Sequence, residues 1–262
     1  MLQVNYMTLQ QLLSPTRRAI DEYHMIADGD RVAVGLSGGK DSVALLYILA
    51  GLRKFYPHPF ELVAIHIDMG LKGADPKHEQ GLADLCKELD VEYHHVKTDI
   101  AEIIFDVRKE SNPCSLCSKM RRGALNNTAI EMGCNKLALG HHADDLIETL
   151  FLSMFYEGRL STFSPVSYMD RSNVTLIRPM IYVNEADIAS FCKDKPVFKS
   201  ACPADKNTKR EYIKSLIASI KKDIPFVKRR IHGAITHPER NNLFDKCEKF
   251  KVEIVKSRDD NE

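Results

Sequence analysis

Three short stretches of the chain bring together residue types that do chemistry. The first, GLSGGKDS at residues 35–42, offers Gly38 and Gly39 for close backbone approach, the hydroxyls of Ser37 and Ser42, and Lys40. Such a loop binds an anion when it opens a helix, because free amides and the helix dipole favour negative charge there. It is not the common phosphate loop, which needs a glycine where Val34 stands and a hydroxyl residue where Asp41 stands; the spacing G-x-G-x-x-G is absent too. A carboxylate inside a phosphate loop repels its ligand unless a cation bridges them, so Asp41 points to Mg²⁺ between itself and a pyrophosphate. The plainer alternative is a tight strand-to-helix turn with a capping aspartate.

The second stretch, GHHADDLIET at residues 140–149, repeats this strand-to-helix pattern. Asp144 or Asp145 can cap the helix, with Glu148 one turn on. Asp144 is as well explained by capping as by function, whereas Asp145 is the stronger functional candidate. His141 and His142 stand in no metal-binding motif and are expected as loop residues near a nucleotide.

The third stretch, NPCSLCSKMRRG at residues 112–123, places Cys114 and Cys117 before Lys119, Arg121 and Arg122. Seven cysteines, an odd number, in a chain with no export signal argue for reduced thiols or metal ligands over disulfides. A closed zinc site wants four protein ligands, and there is no second C-x-x-C. The zinc deaminases carry H-x-E ahead of their cysteine pair, and none precedes this one. A thioredoxin-like pair lacks its usual fold context. Cys86, Cys134 and Cys192 fall in helix or strand patterns and read as small buried hydrophobes. Cys202, in KSACPADKN, sits in a proline-containing loop with no evident packing role. Cys114, Cys117 and Cys202 make three thiolates, a set suited to a [4Fe–4S] cluster with one iron left open.

These stretches need elements to hold them. RVAVGLS, ELVAIHID, VEYHHVK, NKLALGH and VTLIRP read as strands, joined by segments of helical period. The pattern predicts an α/β fold, a parallel twisted sheet with helices on both faces, whose ligands bind at the carboxyl ends of the strands. Residues 159–173 read as a loop, and helical segments are expected over about 184–193 and about 206–235. The expected organisation is a helical segment over 1–28, a nucleotide-binding core over 29–182, a basic helical segment over 183–240 and a peripheral tail over 241–262.

With 44% hydrophobic and 28% charged residues and no long apolar run, the composition suits a folded chain without membrane spans, expected in the cytoplasm. The net charge of +1 conceals a basic region holding Lys206, Lys209, Arg210, Lys214, Lys221, Lys222, Lys228, Arg229 and Arg230. Such a face suits nucleic-acid phosphates; a solvated helix surface is the alternative.

The S-G-G-x-D-S signature of Ser37 to Ser42 resembles the PP-loop ATP pyrophosphatases, which implies that ATP is cleaved between its α and β phosphates. The resemblance implies a nucleotide site made of Leu36, Ser37, Gly38, Gly39, Lys40, Asp41, Ser42, Ile67, Gly140 and Asp145. GHHADDLIET is similar to the G-H-H-x-D-D-x-x-E-T segment of PP-loop enzymes that modify tRNA. Across CSLCSKMRRG, LIRPMIYVNEADI and Cys202 the chain resembles the tRNA 2-thiocytidine synthetase family, with Asp205 where many members have another cysteine. That implies a tRNA thiolase acting on cytidine 32, with ATP, Mg²⁺ and a [4Fe–4S] cluster on Cys114, Cys117 and Cys202. Asp41, Asp145 and Arg121 are its candidate catalytic residues. The implied partners are tRNA and a sulfur donor such as a cysteine desulfurase, with a homodimer allowed for and no membrane. The rival expectations are a 2-thiouridine or lysidine synthetase, a small-molecule PP-loop ligase with structural cysteines, and a non-enzymatic RNA-binding module with an iron–sulfur sensor.

Overall fold

Val32, Ala33 and Val34 are completely buried, so RVAVG is covered on both faces as an interior parallel strand must be. Their side chains alternate: Val32 and Val34 join one apolar layer and Ala33 the other. The structure, a computed structural model, describes residues 7–71, 76–108, 113–170, 172–198, 202, 208–240 and 243. Its strands are β1 (Asp30–Gly35), β2 (Phe60–Asp68), β3 (Glu92–Lys97), β4 (Lys136–Ala138), β5 (Val166–Met169) and β6 (Val174–Ile177). They form one six-stranded sheet in the order β3-β2-β1-β4-β6-β5, parallel except for β5. The chain leaves β1 toward β2 and β3, then returns to lay β4 on the other side of β1. The crevice of this open sheet therefore lies between the loops that follow β1 and β4.

Helices cover both faces. One layer packs α1 (Leu9–Glu22), α2 (Lys40–Leu52), α3 (Pro76–Glu88) and α6 (Glu185–Phe191) around Ile20, Leu46, Leu49, Leu82 and Ile188. The opposite layer sets α4 (Pro113–Glu131) and a π-helical turn, Glu102–Val107, on the sheet through Ile104, Leu125 and Ala129. A third cluster of Ile147, Ile213 and Ile217 joins α5 (Ala143–Glu157) to α7 (Lys209–Asp223), beside which runs α8 (Val227–Thr236).

The structure departs from the sequence reading in three places. Residues 166–169, read as loop, form the antiparallel edge strand β5. The helix expected over about 206–235 is two helices, because Pro225 has no amide to donate and forces Ile224 into extended backbone (φ −122°, ψ 84°). The π-helical turn was not anticipated. Lys206, Asp205 and the tail beyond residue 243 lie outside the described residues. No described helix is long and apolar enough to cross a membrane.

Asp30 ties the two strands that flank the crevice. It is 5% exposed and accepts hydrogen bonds from the Ala27 amide and the Asn135 side chain, both at 2.7 Å, with Lys136 Nζ at 3.6 Å. Asn135 in turn accepts the Arg31 amide at 2.9 Å. Asp30→Ala leaves buried donors without an acceptor and is expected to destabilise the fold by about 1–3 kcal/mol in urea denaturation. Combined with Asn135→Ala, the loss should be smaller than the sum of the two single losses.

Candidate active site

The glycine loop connects β1 to α2, and its shape is set by its own serines. Ser42 donates its hydroxyl to the Gly39 carbonyl (2.9 Å) and accepts from the Ser37 amide (3.1 Å); the two hydroxyls lie 3.1 Å apart. Gly38 has φ +84°, and a Cβ there would come within 2.2 Å of the His78 ring. His78 itself stacks on Phe198 at 4.6 Å, and the Phe198 amide donates to the Gly38 carbonyl at 2.9 Å. The loop is thus clamped by α3 from one side and by the segment leading to Cys202 from another.

The second loop, after β4, crosses against the first. A Cβ on Gly140 would sit 3.0 Å from the backbone of Asp41, so a side chain there would crowd the first loop. His142 is the N-cap of α5, and its amide donates to Asp145 (3.0 Å), so Asp145, not Asp144, supplies the capping carboxylate. Buried Asp144 instead accepts the Glu185 amide (2.7 Å) and pairs with Lys228, fastening α6 and α8 to α5. His142 Nε2 stands 3.5 Å from both Asp41 and Asp145.

A chain of alternating charges runs from the second loop back to the first. Arg210 reaches Asp145 (3.2 Å) and Glu148 (2.8 Å), Lys214 reaches Glu148 (3.8 Å) and Glu185 (3.1 Å), and Lys40 joins Glu185 (3.1 Å) to Asp41 (3.0 Å). Burial opposes the charge on Glu185, but hydrogen bonds and charge from Lys214 and Lys40 outweigh it and hold the carboxyl down at about 2. Burial pushes Glu148 up against the pull of Arg210 and Lys214. Arg210, Lys214 and Lys228, read from sequence as part of a nucleic-acid face, are therefore committed to internal carboxylates. The exposed basic residues of these helices are Lys209, Lys221, Lys222, Arg229 and Arg230, close in sequence to exposed Tyr212 and Phe226.

Between the loops opens a cavity of about 430 Å³. Its walls include Leu36, Ser37, Asp41, Ser42, Ile67, Gly140, Asp145 and Arg121, all singled out from sequence. Gly38, Gly39 and Lys40 belong to the same loop but do not line it. Ser118, Arg122, His141 and Arg178 also line it, and of these only Arg122 and His141 had drawn notice, as a basic and a loop residue. Burial lowers His141 to about 4, so its imidazole is neutral at physiological pH. The signal for Arg178 was the cation at the end of LIRP, at a strand's carboxyl end.

Cys114 and Cys117 occupy the first turns of α4. Burial pushes the Cys117 thiol up, Arg121 one turn on pulls it down, and charge on Cys202 and Cys114 pushes it up again. Cys117 is thus within electrostatic reach of both Cys114 and Cys202. Among the described residues no group of three or more His, Cys, Asp or Glu side chains is placed to hold a metal ion, so Cys114, Cys117 and Cys202 are not gathered into a metal-binding group here. Two thiols three residues apart on one helix, beside Arg121 and with Cys202 near enough to Cys117 to push its pKa up, are donors of the type that suits an anionic iron–sulfur cluster with an open position. Cys86, Cys134 and Cys192 are buried, as their sequence context indicates.

A PP-loop domain family matches residues 7–219. The tRNA-cytidine(32) 2-sulfurtransferase of Syntrophotalea carbinolica is 39% identical, the match covering 88% of this chain and 90% of that protein. The enzyme of the same name from Citrifermentans bemidjiense is 41% identical over 87% of this chain and 91% of its own. Among solved structures, the U34-tRNA thiolase NcsA from Methanococcus maripaludis with its [4Fe–4S] cluster superposes with a TM-score of 0.71 at 26% identity, covering 91% of this chain and 82% of that one.

Two outcomes follow from the geometry. Gly38→Ala pays a left-handed backbone cost of roughly 1–2 kcal/mol and drives a methyl into His78, so binding of an ATP analogue should fall tenfold or more. Adding His78→Ala removes the clash and should recover part of that loss in the same titration. Because folding depresses the Glu185 carboxyl, its stabilisation is complete above the ordinary value of about 4.3 and fades as pH falls toward about 2. Glu185→Gln should accordingly be less stable than the parent protein by about 1.5–3 kcal/mol at pH 7, the gap narrowing below about pH 4 in urea midpoints.

Proposed function

The chain belongs to the PP-loop family and to its tRNA-cytidine(32) 2-sulfurtransferases, and from that premise we propose how its residues divide the work. It is an ATP-dependent tRNA sulfurtransferase that activates a base carbonyl and replaces the oxygen by sulfur, with ATP, Mg²⁺ and a [4Fe–4S] cluster as cofactors. The observation that carries the assignment of roles is the single cavity bounded by the anion loop, the Asp145 loop and the arginine turn of the cysteine helix.

The amides and hydroxyls of Ser37 to Ser42 cradle the pyrophosphate of ATP, with Leu36 and Ile67 against the nucleotide. Asp41 and Asp145 would hold Mg²⁺, which would neutralise phosphate charge when bound; in the chain itself Lys40 and Arg210 fix these two carboxylates, with His142 Nε2 3.5 Å from each. The O2 of cytidine 32 attacks the α-phosphorus and pyrophosphate leaves; the oxygen, now bonded to AMP, is a good leaving group when sulfur takes its place at the base carbon. Arg121 steadies the charge that develops there. Cys114, Cys117 and Cys202 would hold the cluster, which would supply sulfur-transfer chemistry beside Arg121 when bound. The segment over 183–240 receives tRNA, with Lys209, Lys221, Lys222, Arg229 and Arg230 meeting phosphates and Tyr212 and Phe226 offering aromatic faces. The core over 29–182 performs the chemistry, with 1–28 as a helical flank. A cysteine desulfurase provides sulfur, and the enzyme works in the cytoplasm.

The test is protein prepared without oxygen, assayed for iron, acid-labile sulfide and thionucleosides in digested tRNA. About four irons per chain and ATP-dependent 2-thiocytidine are expected. Cys202→Ala should lose the cluster and Asp145→Asn should keep it, each with thiolation reduced a hundredfold or more. Wild-type thiolation in Cys202→Ala, or ATP turnover by the parent protein without any thionucleoside, would overturn the assignment.

A further inference from the structure

Arg178 follows β6 directly, is 8% exposed, and lines the cavity shared with the glycine loop. Its Nη1 donates to the Ser164 carbonyl and the Ser167 hydroxyl, and its guanidinium lies 5.0 Å from the Phe163 ring centre. Its Nε is buried with no hydrogen-bond partner, and among the described residues no carboxylate pairs with it. Burial, with the nearby Arg122 charge, lowers its pKa to about 10, which leaves it a cation at neutral pH. The two carboxylates on the cavity wall are already engaged, Asp41 by Lys40 and Asp145 by Arg210. Arg121 and Arg122 line the same space. Three arginines thus face a cavity that gives Arg178 no counterion, and an unpaired buried charge is costly unless a ligand neutralises it.

The sheet order says which side this is. Ile65 and Ile67 of β2 form one wall, the glycine loop after β1 and Gly140 after β4 the floor, and Leu176 and Arg178 at β6 the opposite wall. Arg178 stands across the anion loop from the apolar nucleotide wall.

We propose that Arg178 is a phosphate receptor on the acceptor side of the cavity, its free edge taking phosphate oxygens of a bound substrate as a planar fork does. The sources of that phosphate, the α-phosphate of ATP or the backbone of the tRNA nucleotide being modified, rest on the function proposed above; the receptor itself does not.

The experiment compares the parent protein, prepared without oxygen, with Arg178→Gln, Arg178→Lys and Ser167→Ala. Binding of α,β-methylene ATP without tRNA is read by calorimetry and by the ³¹P shift of the α-phosphorus; tRNA binding without nucleotide is read by filter retention. Arg178→Gln should weaken one of the two about tenfold or more, Arg178→Lys should weaken it less, and Ser167→Ala should leave both unchanged. Loss on the analogue with a displaced α-phosphorus resonance identifies ATP as the source, and loss on tRNA identifies the backbone. Unchanged binding of both ligands by Arg178→Gln overturns the proposal, as does an equal loss in Ser167→Ala, which would make Arg178 a loop anchor. Should Arg178→Gln fail to fold, Arg178→Lys decides: parental affinity for both ligands with a parental α-phosphorus shift overturns it. If the parent protein makes no thionucleoside while Arg178→Gln still loses phosphate binding, the thiolase assignment falls and the receptor stands.

Discussion

The two loops share one crevice at a close approach that the absence of a side chain at residue 140 eases. A methyl there would lie 3.0 Å from the Asp41 backbone, so one loop would have to shift by a few tenths of an ångström. The cavity depends on that contact, since Ser37, Asp41 and Ser42 come from one loop and Gly140, His141 and Asp145 from the other. The sheet supplies the rest of the constraint: β4 returns beside β1 in parallel register, Ala33 opposite Leu137, so both loops leave from the same edge. Asp30 holds the other end of the same strand pair, through Asn135 and Lys136.

Electrostatics then extend the crevice outward. The ladder from Asp145 through Arg210, Glu148, Lys214, Glu185 and Lys40 to Asp41 means that α7 is attached to the two cavity loops by charge and to α5 by the Ile147, Ile213 and Ile217 cluster. Half-buried pairs of this kind contribute less through net Coulomb energy than through orientation, because desolvation cancels much of the attraction. Their effect is to fix where Asp41 and Asp145 point without drawing in the outward cations of α7 and α8, of which Lys209 lies over the Tyr156 ring and Arg229 over Phe226.

Much of this was legible in the chain. The glycine loop could be read because its requirements are local: small residues, hydroxyls and a helix start within eight positions. The interior strands could be read because burial on both faces demands an unbroken apolar run, as in Val32 to Val34. β5 escaped because an edge strand with one partner carries no such run; Ser167 and Tyr168 are only partly covered or exposed. Arg210 and Lys214 were misread because a cation facing a carboxylate 60 residues away looks, along the chain, the same as one facing solvent. Arg178 was passed over although LIRP shows a cation at a strand's carboxyl end; that no carboxylate among the described residues pairs with it is visible only after folding.

The bond from the Phe198 amide to the Gly38 carbonyl has a consequence for cluster assembly. Cys202 follows Phe198 by so few residues that its Cα stays within about 14 Å of the pinned point. On the ligand set proposed above, the third thiol reaches the Cys114 and Cys117 helix as part of the same chain rather than from solution. The His78 ring stacked on Phe198 then holds the fixed end of that tether, and the glycine loop carries it.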